Sequence, residues 1–119
     1  MTDNTIDTAA LANLKEVIGG GTEDLRELVD DFVADVPGQI GKMQTQVAEA
    51  DWAGLRITSH SCKSNARDLG ATELSTLCAA LELQCKSGAP TDPIGQLAAI
   101  SAAANSAVDA LGQLDLANV

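Results

Sequence analysis

Between Leu25 and Val47 the apolar residues Leu25, Leu28, Val29, Phe32, Val36, Ile40, Met43 and Val47 follow one another mostly at steps of three and four. That spacing lines one side of an α-helix and fits no strand, whose faces alternate every second residue. One long helix is therefore expected from Thr22 to about Ala50. Pro37 lies inside it without changing the phase of the stripe, which predicts a kinked helix; a break into two helices is the alternative. Thr22 is the expected cap, with Glu23 and Asp24 in the first turn as the helix dipole prefers. An amphipathic helix this long is stable only against partners that cover its stripe.

The rest of the chain supplies them. A first short helix runs from about Asp7 to Ile18, with Leu11, Leu14, Val17 and Ile18 apolar, and Gly19-Gly20-Gly21 ends it. Asp51 can cap a helix from Trp52 to Leu69, and Gly70 suits the left-handed position that closes it. Thr72 is the expected cap of the next, marked by Leu74, Leu77, Cys78, Leu81 and Cys85 and ending near Gly88. Asp92-Pro93 is a helix start, since proline fits the first helical position. The helix after it carries Ile94, Leu97, Ile100, Ala104, Val108 and Leu111. No segment sustains a two-residue alternation. The expected fold is all-α: an antiparallel four-helix bundle with an additional short N-terminal helix covering one end. One domain spans residues 1–119, with its core at about 7–114. With one Trp, one Phe and no Tyr, that core must be built from Leu, Val, Ile and Ala.

Charge narrows the partners. The formal net charge is −10, which argues against nucleic acid and against an anionic membrane surface. No apolar run approaches the ~20 residues needed to cross a bilayer. The N-terminal "MTDNTIDT" has neither a basic nor an apolar signal region, so a cytoplasmic protein is expected. Cys62, Cys78 and Cys85 form no CxxC pair and read as buried free thiols in a reducing compartment. "IGGGT" is no phosphate loop, because it lacks the Lys and a preceding strand.

The single histidine stands out against this background. Arg56, His60, Lys63, Ser64 and Arg67 fall within about 50° of a common line on the helical wheel, opposite Leu55, Ser59, Cys62, Ala66 and Leu69. His60 thus points away from the core. A solvated polar face with an incidental histidine is the plain alternative. The chemical alternative is sharper. A neutral, exposed imidazole is a good nucleophile, and Lys63, Arg56 and Arg67 supply positive potential for a dianionic group. No second histidine exists to activate Cys62. No nucleotide site is recognisable, so a phosphoryl group would have to come from another protein.

At these residues the chain resembles the histidine-containing phosphotransfer (HPt) family. The family pattern, approximately small-His-x-Leu-Lys-Gly-x-x-x-x-Leu-Gly-Ala, reads here Ser59-His60-Ser61-Cys62-Lys63-Ser64-Asn65-Ala66-Arg67-Asp68-Leu69-Gly70-Ala71. "EADWAGL", "LCAALE" and "FVADVPGQI" extend the likeness to nearly the whole chain. The resemblance implies a phosphocarrier, not an enzyme with its own nucleotide site. His60 would accept a phosphoryl group through Nε2 from a receiver-domain aspartyl phosphate and pass it to another receiver. Lys63 would help hold the phosphoryl oxygens. It implies receiver domains and a hybrid sensor histidine kinase as partners, Mg²⁺ on the receiver with no cofactor here, and a monomer. A helical adaptor that binds a receiver or kinase without carrying phosphate is the second reading.

Three departures from the pattern matter. Ser64 replaces the family Gly and Cys62 the family Leu. Glu82 stands where some members have a Gln facing the histidine; a carboxylate there could orient the imidazole but would repel a nearby phosphate. Arg56, Ser64, Arg67 and Glu82 are the expected partner-binding surface. The N-terminal Met and the complete bundle favour a free-standing protein over a domain of a larger kinase.

Overall fold

The computed structural model describes residues 5–119. Five α-helices follow in order: α1 Thr8–Val17, α2 Thr22–Ala48, α3 Trp52–Asp68, α4 Thr72–Lys86 and α5 Pro93–Gln113, then a 3₁₀ turn at Leu116–Asn118. No strand occurs among the described residues. Helix α2 packs against α3 and α5, and α4 packs against the same two. The pairs α2–α4 and α3–α5 make no close approach among the described residues, so they are the diagonals of a four-helix bundle. Short connections make sequential neighbours antiparallel.

Helix α2 continues unbroken through Pro37, as its stripe demands. Leu25, Val29, Phe32, Val36, Ile40 and Met43 are buried. Three stripe residues depart from expectation, and of these Val17, the last residue of α1, is exposed. Leu28 remains partly exposed at the edge of a groove between α1, α2 and α3, and Ile94 is exposed in the first turn of α5, before that helix meets the bundle. The centre is filled by Leu11, Leu25, Met43, Leu55, Leu74, Leu81, Ile100 and Leu111, together with the fully buried Cys62 and Cys78. All three cysteines are free and buried, as expected.

Aspartates close the helix starts. Asp7 accepts from the Ala9 N–H, Asp51 from Gly54 and Asp92 from Gly95. The two threonine caps are corrected. Thr22 and Thr72 are the first residues of their helices, and the cap positions belong to Gly21 and Ala71, which make no side-chain bond. Thr72 turns backward instead, its N–H and hydroxyl both donating to the Gly70 carbonyl.

Gly70 is the joint of the site-bearing end. Its φ of +77° suits glycine alone, and a Cβ there would run into the Asp7 carbonyl. The close approach lets the Asp7 N–H donate to the Gly70 carbonyl at 2.7 Å, which docks α1 on the α3–α4 turn. Lys15 Nζ donates to the Leu116 carbonyl at 3.2 Å, and Leu116 is 1% exposed. Burial therefore reaches Ile6 at one end and Leu116 at the other, past the expected 7–114.

Candidate functional site

Helix α3 owes its orientation to Leu55, Thr58, Ser59, Cys62 and Ala66, all buried. Their phase turns His60 outward, and 58% of its side chain is accessible. Arg56 and Arg67 are exposed on the same face. Arg67 is only loosely placed against Asp68, Nε to Oδ1 3.9 Å, a surface pair of little consequence for stability.

Two site residues sit deeper than the wheel implies. Lys63 and Ser64 are half-buried, not fully exposed. They flank His60 on either side of the helix, where neighbouring helices close in. Glu82, placed by the sequence on the partner-binding surface, is 6% exposed and lies beneath that surface on α4.

Glu82 joins the two functional side chains. Its Oε2 lies 2.8 Å from His60 Nδ1, and its Oε1 accepts from Lys63 Nζ at 2.6 Å. The Lys63 ammonium beside it, helped by the His60 contact, holds the Glu82 carboxyl below the usual range against the opposing effect of burial. An ionised carboxylate can only accept. In the neutral ring the shared proton therefore sits on Nδ1 of His60, and Nε2 carries the free lone pair. Orientation and tautomer of the imidazole thus follow from one α4 residue.

A second α4 residue secures the backbone. Ser75 Oγ donates to the Lys63 carbonyl at 3.1 Å. No feature of the residue pattern signals this contact. The signal for Glu82 was present: it stands four residues after Cys78 and three before Cys85, both core positions, so its phase put it at the core boundary.

The three thiols are buried and do not share the exposed His60 face, and the hydrogen bond with Cys78 lowers the fully buried Cys62 thiol against the opposing effect of burial. The Cys62 sulfur beside it and burial push the Cys78 thiol up, and burial does the same for Cys85. No helix among the described residues is long and apolar enough to cross a membrane.

The bundle presents an outward histidine with a lysine one turn further along the same helix. The family model for the Hpt domain matches residues 27–114, and the chain belongs to that family. Hpt proteins are phosphocarriers that interact with receiver domains and kinases in phosphorelays, and this chain is a histidine phosphotransfer protein of that kind. Among solved structures it is similar to histidine-containing phosphotransfer protein B (HptB) from Pseudomonas aeruginosa PAO1, with a TM-score of 0.84 and 23% identity over 94% of this chain and 95% of that one. At that identity the likeness is one of fold. Comparison with curated proteins gives no match.

Proposed function

We propose that His60 is the phosphoacceptor and Lys63 the residue that steadies the phosphoryl oxygens. The observation that carries this is the Glu82 contact at Nδ1, which leaves Nε2 as the unprotonated nitrogen of an exposed ring. In transfer, the Nε2 lone pair forms a bond to phosphorus. The bond from phosphorus to the aspartyl oxygen of the receiver breaks, and its electron pair returns to that carboxylate. The proton on Nδ1 stays where it is. Passing the group to a second receiver reverses each change.

The receiver supplies the Asp and a Mg²⁺ ion, and this chain supplies position and positive charge, without a cofactor or a turnover reaction of its own. Arg56, Ser64 and Arg67 border the ring and form the surface on which receivers, including that of a hybrid sensor kinase, close. The protein works as a cytoplasmic monomer. An adaptor that carries no phosphate has no observation in its favour.

The test is radiolabelled transfer from a phosphorylated receiver to wild type and His60→Gln. Wild type should acquire an acid-labile, base-stable label that the variant lacks, with helical circular dichroism unchanged. Label persisting on the variant overturns the assignment.

A further inference from the structure

His60 and Lys63 share one counter-ion. Glu82 is almost wholly buried, and its two oxygens are committed, one to each partner. Nε2 lies across the imidazole ring from Nδ1, so a phosphoryl group there sits away from the present place of the Lys63 ammonium. The flexible lysine stem allows that ammonium to swing toward it, at the expense of its contact with Glu82.

We infer that Glu82 is a latch on Lys63: it holds the ammonium while His60 is unmodified, must release it to the phosphoryl group, and so sets how tightly His60 retains phosphate. This rests on His60 being the carrier. Glu82 touches no transferred atom and acts as a positioning residue through Lys63 and the ring.

The charges show the consequence. Before transfer, one carboxylate, one ammonium and a neutral imidazole sum to zero. Transfer makes a bond from Nε2 to phosphorus and returns an electron pair to the receiver Asp. With the Nδ1 proton retained, the ring becomes cationic and bears a dianionic phosphoryl group. The cluster then carries one net negative charge, and a single ammonium must serve both Glu82 and the phosphoryl oxygens. A glutamine at 82 could still accept the Nδ1–H but would have no ionic claim on Lys63. Through its hold on Lys63 the carboxylate therefore makes phospho-His60 a weaker keeper than an amide would, against its own attraction for the cationic ring, which the Lys63→Met background isolates.

The experiment measures the equilibrium constant for transfer between a purified receiver domain, loaded with acetyl phosphate, and four proteins: wild type, Glu82→Gln, Lys63→Met and the double variant. Glu82→Gln should shift the equilibrium toward phospho-His60 by about 3- to 10-fold. Lys63→Met should shift it the other way. In the Lys63→Met background, Glu82→Gln should have a clearly smaller effect, because no ammonium is left to release. A general structural role for Glu82 would change melting temperature without this dependence on Lys63. No shift in Glu82→Gln, or an equal shift in both backgrounds, overturns the latch. If Glu82→Gln does not fold, Lys63→Met alone decides, since an unchanged equilibrium in it also overturns the latch. Wild type that loads no phosphate on His60 with any receiver sinks the carrier assignment instead, and the latch with it.

Discussion

Glu82 lies 2.8 Å from Nδ1 of His60, and this contact, from a buried residue to an exposed one, decides which ring nitrogen faces the solvent as a nucleophile. It reaches across the α3–α4 interface, the closest helix pairing in the bundle. The functional histidine is thus aimed from the helix beside its own.

Lys63→Ala should cost both transfer and stability. Side-chain accessibility of Lys63 is 23%, and its removal leaves the Glu82 carboxylate with His60 as its remaining side-chain partner among the described residues. A charge-assisted bond lost at a partly solvated site should lower the unfolding free energy by about 1 kcal/mol. Transfer should slow further than that loss explains, because the phosphoryl oxygens lose their cation. Urea denaturation and single-turnover transfer on the same samples check both. Wild-type transfer rates in the variant would show that Lys63 serves the fold alone.

Acid should weaken the protein through Glu82. Its folded carboxyl is held below the usual range, chiefly by Lys63, whereas an unfolded glutamate titrates near about 4.3. A depressed folded value means that the unfolded chain takes up the proton first as pH falls. The stabilising contribution is therefore fully present above the unfolded value and is lost as pH drops through the lower folded one. Denaturant midpoints for wild type and Glu82→Gln should converge over that acid window and differ above it. Parallel profiles would mean that the Lys63 contact does not persist in solution.

The fold was readable where phase alone decides. The α2 stripe survived Pro37 because proline removes one backbone donor without moving side chains off their face. Gly70 was readable because a helix end needs a left-handed residue. What escaped depends on neighbours that a wheel does not contain. The wheel placed Lys63 outward, but α4 offered it an anion. The family pattern placed Glu82 facing the histidine, but not at its depth beneath the partner-binding surface. Leu116 lies in a stretch too short to show any period, so its burial follows only from the return of the chain toward α1. His60 was the easiest to place, as a lone imidazole opposite a continuous apolar stripe.

Ser59→Ala should stabilise the protein. Ser59 is fully buried next to His60 in sequence, and its hydroxyl has no hydrogen-bond partner among the described residues. Removing an unsatisfied buried hydroxyl recovers its desolvation cost, about 1 kcal/mol or somewhat more. Alanine adds roughly 0.5 kcal/mol of helix preference. The thermal midpoint should rise while transfer from a receiver stays as in wild type, because the side chain points away from the His60 face. A lower midpoint would indicate that the hydroxyl is satisfied by water or by the α3 backbone.

Ser64 stands one turn after His60, half-buried at the flank of the same face. The family pattern has glycine there. In-line transfer requires the attacking nitrogen within about 3–3.5 Å of phosphorus, so whatever projects beside the ring limits how closely a receiver can approach. Ser64→Gly should keep or raise the transfer rate, at a helix cost of roughly 0.5 kcal/mol. Ser64→Gln should slow transfer strongly, since a long amide must extend toward the partner when the space at the helix flank is already partly taken. The comparison is single-turnover transfer for wild type, Gly and Gln at matched receiver concentration. Equal rates for Gln and wild type would mean that the receiver approaches His60 from the other flank, past Lys63 and Arg56.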